Sequence, residues 1–187
     1  MQENDTGQTP EENRLVEMAV AGNSEAFGKL YDMHVDRIYR HIRYRVNSNA
    51  DAEDLTQQVF IKAWQAIGRY KQTRSPFFAW LVTISHNTVI DFYRSRKQEV
   101  PLEFDMPAGQ PLNNPALAAE AADSEENVRR AIQKLHGDQQ QVLLMRFIED
   151  FSYKEIAEAL GKSEGAIRVI LHRGLGKLKN IMEKAAS

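Results

Sequence analysis

Apolar residues recur along this chain at intervals of three and four, the spacing of amphipathic helices. A first helix opens at Thr9-Pro10-Glu11-Glu12: a capping residue, a proline in the first turn and an acid at the third position. It should stop at Gly22. A second helix starts near Asn23 or Ser24 and runs to about Val46, with Phe27, Leu30, Tyr31, Ile38 and Ile42 on its buried side. Asp51 is expected to cap a third, whose stripe of Leu55, Val59, Phe60, Ala63, Trp64 and Ile67 ends at Gly68. Ser75-Pro76 opens a fourth, which carries Phe77, Phe78, Trp80, Leu81 and Ile84 and continues to about Arg96. Four such helices suffice for one all-α domain.

The period then breaks. Pro101, Pro107, Gly109, Pro111 and Pro115, with Asn113 and Asn114, exclude a continuous helix from Lys97 to about Asp123 and mark a linker longer than a simple connection needs. Ser124 restarts the helical pattern with Val128, Ala131, Ile132 and Leu135. Asp138, with Gln141 three positions on, is expected to cap the next helix, which carries Val142, Leu143, Met145 and Phe147. The fold expected is all-α: two small helical domains joined by a flexible linker, the second ending in a helix-turn-helix.

That last motif is the stretch FSYKEIAEALGKSEGAIRVILHRGLGKLK, residues 151–179. Ser152 and Glu155 have the spacing of a capping box, and Gly161 stands where a left-handed residue would stop the helix. Ser163 caps a second helix. Its Ile167, Ile170, Leu171, Gly174 and Leu178 face inward, leaving Glu164, Arg168, Val169, His172 and Arg173 outside. A short helix, a tight turn and a second helix with an exposed basic start is a layout that reads duplex DNA. Taken alone, it also fits a plain helical hairpin with a solvated face.

Charge sharpens the choice. The 187 residues carry a net charge of −2, yet residues 162–184 hold six Lys/Arg against two acids, and residues 36–74 eight against four. Between these basic zones residues 101–140 are acidic, seven against three, as are residues 1–35, seven against two. Two basic zones on a near-neutral chain suit two nucleic-acid-facing modules. There is no cysteine, hence no disulfide framework, thiolate zinc site or cysteine nucleophile. The polar, acidic start is unlike a signal peptide and no apolar run could span a bilayer, so a cytoplasmic protein is expected. His34, His41, His86, His136 and His172 form no HExxH pattern. Neither a metal, nor a cofactor, nor an enzymatic activity is expected.

Three features of the first domain exceed core packing. Asp54, Gln57, Gln58 and Lys62 make an exposed polar strip on the third helix. Aromatics beside Lys71 and Arg74 could stack on unpaired bases or simply fill the core. Asn87, Asp91 and Arg94 share a face of the fourth helix, ahead of Arg96 and Lys97. Each of these polar sets also suits an ordinary solvated helix face.

Together, DAEDLTQQVFIKAW, SPFFAWLVTISHNTVIDFYRSR, the linker and the helix-turn-helix resemble the extracytoplasmic-function group of the sigma-70 family of initiation factors, over about residues 10–182. The resemblance implies a disordered N-terminus at 1–9, sigma region 2 at 10–97, a linker at 98–123 threaded through the polymerase, and sigma region 4 at 124–187. It implies that Asp54, Gln57, Gln58 and Phe60 dock on the β′ clamp helices of core RNA polymerase. Thr73, Arg74, Ser75, Asn87, Asp91 and Arg94 would read and open the −10 element. Ser163, Arg168, Val169, His172, Arg173 and Lys177 would face the −35 element. The implied partners are core polymerase, including its β flap, promoter DNA and an anti-sigma factor. Ala166, Val169 and Ile170 depart from the residues usual in that family's recognition helix, which bears on the −35 sequence rather than on DNA binding. A stand-alone helix-turn-helix regulator would explain residues 138–182 but leave 51–97 without a role. A decoy that sequesters an anti-sigma factor would need a receiver domain absent from the pattern.

Overall fold

A computed structural model describes residues 9–71, 75–99 and 119–185. Local chemistry explains where each helix begins. Thr9 Oγ1 accepts from the Glu12 amide at 3.2 Å to start α1 (Pro10–Val20), and Asn23 Oδ1 accepts from Ala26 at 2.9 Å to start α2 (Ser24–Arg43). The Glu12 carboxylate reaches His34 Nε2 at 3.0 Å, and both side chains are buried. His34, stacked on Phe78, is thus a core histidine paired through Nε2 alone.

α3 (Asn49–Ala66) begins earlier than the sequence suggests, because Ser48 Oγ caps it through the Asp51 amide at 3.3 Å. Asp51 lies inside the first turn and pairs with Arg96. A 3₁₀ turn at Ile67–Arg69 leads toward α4 (Phe77–Glu99). α5 (Ala119–Gln133) and α4 both extend into the span assigned to the linker. Residues 100–118 of that span, like residues 1–8, lie outside the described residues.

In the second half, α6 (Gly137–Phe147) follows His136 at its cap position, not Asp138. Asp138 sits in the first turn and pairs with Lys162, while Gln141 turns inward and is buried. α7 (Tyr153–Leu160) has the full reciprocal capping box of Ser152 and Glu155, and Gly161 closes it at φ +61°. An eight-residue helix has little intrinsic stability, so its ends matter. Ser152→Ala should lower the unfolding free energy by about 1 kcal/mol, read as a shift of the denaturant midpoint at constant slope. α8 (Glu164–Ala185) packs on α6 so closely at Gly174 that an added Cβ would lie 3.1 Å from Leu143 Cδ1.

The described residues are all helical apart from turns. α1 to α4 surround Leu30, Ile38, Ile42, Leu55, Phe77 and Leu81, and α5 to α8 surround Leu144, Met145, Ile156 and Ile167. Phe77, Phe78 and Leu81 are thus core, and Trp80 is half-buried.

The halves also touch. Phe78 stacks on Phe151 at 5.7 Å, and Thr83 Oγ1 on α4 approaches the Ala159 carbonyl on α7 at 3.5 Å. A set of buried polar contacts adds to this apolar seam. Arg45, only 3% exposed, donates to Gln140 Oε1 at 3.1 Å and Gln141 Oε1 at 2.9 Å. Arg37 pairs with the buried Glu149 at 3.4 Å, and His41 lies 3.7 Å from the same carboxylate. Arg129 and Gln133 of α5 both donate to the Val46 carbonyl, at 3.1 and 2.8 Å. Burial pushes the Arg45 guanidinium down to about 10. Burial, then the charge of Arg45, takes the His86 imidazole to about 4, and burial also lowers His41. Both histidines are therefore neutral at pH 7 while the seam is closed.

Candidate nucleic-acid interface

Three faces result from this packing. On α3, residues Asp54, Gln57 and Gln58 are exposed on successive turns. Phe60, expected beside them, is only 4% exposed and meets Tyr31 edge-on with ring centroids 4.7 Å apart. Its reason is phase: it falls with Leu55, Val59 and Ala63 on the side that faces α2. The apolar surface near the strip comes from other residues. Ile61 is 57% exposed, and Tyr31 and Trp64, read from the sequence as core, are partly open, with Trp64 against Phe27. Sequence reasoning passed over Ile61, although it lies out of phase with the α3 stripe.

On α4, Asn87, Asp91 and Arg94 share an exposed face. Asp91 lies 3.9 Å from both Lys62 Nζ and Arg94. Lys62 also donates to Thr88 Oγ1 at 3.2 Å, so this α3 cation belongs to the α4 face rather than to the Asp54 strip. The Ser75 carbonyl accepts from the Tyr70 hydroxyl at 2.7 Å, and Tyr70, Phe77 and Trp80 form a ring cluster beneath it. Burial raises the Tyr70 phenol, which stays neutral. Thr73 and Arg74 lie outside the described residues.

The third face is α8. Ser163 Oγ is occupied as the helix cap, accepting from the Ala166 amide at 3.2 Å. Arg168, Val169, His172, Arg173 and Lys177 are all exposed along the following turns. From Arg168 to Lys177 this row extends about 14 Å along the helix, a length that a major groove can take. Val169, 48% exposed, offers an apolar contact of the kind a thymine methyl takes. The structure thus keeps the α3 strip, the α4 face and the α8 row apart, each on the surface.

The description "Sigma-70 region 2" matches residues 30–99, and "Sigma-70, region 4" matches residues 125–178. The ECF RNA polymerase sigma factor SigX of Bacillus subtilis (strain 168) is 32% identical over 165 residues, covering 85% of this chain and 84% of its own. The chain belongs to the extracytoplasmic-function sigma factors of the sigma-70 family. This sigma factor is also 36% identical over 170 residues to the ECF RNA polymerase sigma factor BldN of Streptomyces coelicolor, covering 90% of this chain and spanning 64% of the length of that relative. Among solved structures it is similar to CnrH in complex with the cytosolic domain of CnrY, at 25% identity and a TM-score of 0.70, covering 93% of this chain and 98% of that one. The region 2 match contains the α3 strip and the α4 face, and the region 4 match contains the α8 row. No helix among the described residues is long and apolar enough to cross a membrane.

Proposed function

We propose that this sigma factor binds core RNA polymerase in the cytoplasm and directs it to a specific set of promoters, opening the −10 element and starting transcription. The observation that carries this reading is the presence, on one chain, of a region 2 with a polar α3 strip and a polar α4 face, followed by a region 4 with a basic recognition helix. Residues 10–97 would hold polymerase and the −10 element, and residues 124–187 the −35 element.

The chemistry is binding rather than bond making. Asp54, Gln57 and Gln58, with the apolar surface of Ile61 and Tyr31, form the surface for the β′ clamp helices. Phe60 contributes from beneath by fixing the Tyr31 ring. Asn87, Asp91 and Arg94, with Thr73, Arg74 and Ser75, engage the −10 strand. Taking a base out of the stack costs on the order of a few kcal/mol, which contacts to the captured base must offset. Arg168, Val169, His172, Arg173 and Lys177 enter the −35 groove, where phosphate attraction falls steeply with salt. The partly exposed Trp64, Ile61 and Phe147 are apolar surface of the kind a protein partner covers. CnrH has been solved with the cytosolic domain of CnrY, and an anti-sigma factor is the protein partner expected here.

Reconstituted run-off transcription with mapped start sites tests the function. Defined transcripts should appear only when the chain is added to core polymerase, and failure to bind polymerase would sink the reading. Within that assay Asp54→Ala with Gln57→Ala should reduce core affinity by at least tenfold while the helical circular dichroism spectrum stays unchanged. Unaltered affinity would place the polymerase contact elsewhere.

A further inference from the structure

The contact set around Arg168 is unusual for an exposed recognition-helix cation. Its guanidinium carbon lies 4.3 Å from the centroid of the Tyr153 ring, at the first position of α7. Its terminal nitrogen is 3.4 Å from the Glu164 carboxylate, one turn earlier on α8. The guanidinium of Arg146 lies 5.7 Å from the same ring centroid, and Arg146 is itself tied to the Phe151 carbonyl at 3.3 Å. The Arg168 side chain is nonetheless 60% exposed.

A free arginine carries about 2 kcal/mol of rotamer entropy, much of which is lost when it binds. Here the ring occupies one face of the guanidinium plane and Glu164 fixes one edge, so much of that freedom is gone before DNA arrives. Glu164 also bears on the choice of target. A carboxylate within 3.4 Å repels a phosphate, whereas a base edge offers acceptors to the arginine and, on cytosine, a donor to the acid. The held fork is thus suited to base edges rather than to the DNA backbone.

We infer that Tyr153, on the first helix of the helix-turn-helix, is a specificity-determining positioning residue that holds Arg168 so that it discriminates one base pair of the upstream promoter element. The inference rests on the reading that α8 enters the major groove at that element.

The test is competition among promoters randomised across the upstream element, transcribed by polymerase reconstituted with the full chain and read as the base preference at each position. Tyr153→Leu should flatten preference at a single position by about two- to fivefold, the range of an exposed cation–π contact. Arg168→Ala should flatten the same position further, and Tyr153→Phe, which keeps the ring face, should restore it. Should Tyr153→Leu disturb α7 by circular dichroism, Tyr153→Met, a good helix former with no ring, takes its place. An unchanged profile in the ringless variant, or a uniform loss across all positions, overturns the positioning role. If Arg168→Ala and the ringless variant both leave every upstream preference intact, the groove reading of α8 fails instead.

Discussion

Cross-linking Thr83→Cys to Ala159→Cys with a short bis-maleimide is expected to reduce promoter-directed transcription at least tenfold. The two positions meet across the seam, where Thr83 Oγ1 lies 3.5 Å from the Ala159 carbonyl. The −10 and −35 elements are separated by about 25 base pairs, or about 85 Å of B-form helix at about 3.4 Å per pair. Asn87 stands one turn from Thr83, and Arg168 belongs to the same helical hairpin as Ala159. The two faces proposed to read the promoter therefore lie, in the closed chain, within roughly one small-domain diameter, about 30 Å. No rotation of DNA removes a difference of that size, so the halves must part before both elements are held. The chain has no cysteine of its own, so the two introduced thiols are the only ones. Each single variant capped with N-ethylmaleimide should retain its transcription. Full activity in the cross-linked monomer would show that the closed form is competent.

Arg45→Ala should act in the opposite direction, raising apparent affinity for core polymerase. Arg45 is 3% exposed in the closed form and is solvated once the seam opens, so its removal weakens the closed state alone. Gln140 Oε1 loses its Arg45 donor and Gln141 Oε1 is left with His86. An unsatisfied buried acceptor costs about 1–3 kcal/mol, and the removed charge was itself held at some expense, as its depressed guanidinium shows. The two effects oppose each other, leaving a net shift toward the open form of about 1 kcal/mol, or about fivefold in the equilibrium. When only the open form binds, apparent affinity increases with its population. Energy transfer between dyes on Glu53→Cys and Lys177→Cys reports the opening, and polymerase titration reports the affinity. An unchanged transfer efficiency would mean that Arg45 does not hold the seam.

How much of this was legible in the sequence follows from how local each signal is. Helix-turn-helix ends were readable because Ser152, Glu155, Gly161 and Ser163 act on neighbours within three or four residues. Periodicity likewise separated the inward Ile167 and Leu171 from the outward Arg168 and Arg173. Cap assignments at Asp51 and Asp138 failed because another residue, or a long-range ion pair, competes for the same position. Tyr31 and Trp64 are partly open because a wide apolar stripe does not reveal which of its edges meets a neighbouring helix, whereas Phe60 is buried as the stripe placed it and against the surface role that the resemblance gave it. The seam was invisible. Arg45, Gln140 and Gln141 are ordinary polar residues until two separately encoded halves face each other, and no spacing rule connects positions 95 residues apart.

One rigid rod carries both ends of the transition. Helix α2 presents Phe27 and Tyr31 near its start, beside the α3 surface, and Arg37 and His41 near its finish, just before Arg45. The helical span from Phe27 to Arg43 is about 24 Å at about 1.5 Å per residue. A partner that tilts the starting end by about 10° swings the far end by about 4 Å. That displacement exceeds the reach of the hydrogen bonds to Gln140 and Gln141. Docking at the aromatic end would thus work as a lever, prising the two halves apart at a point it never touches.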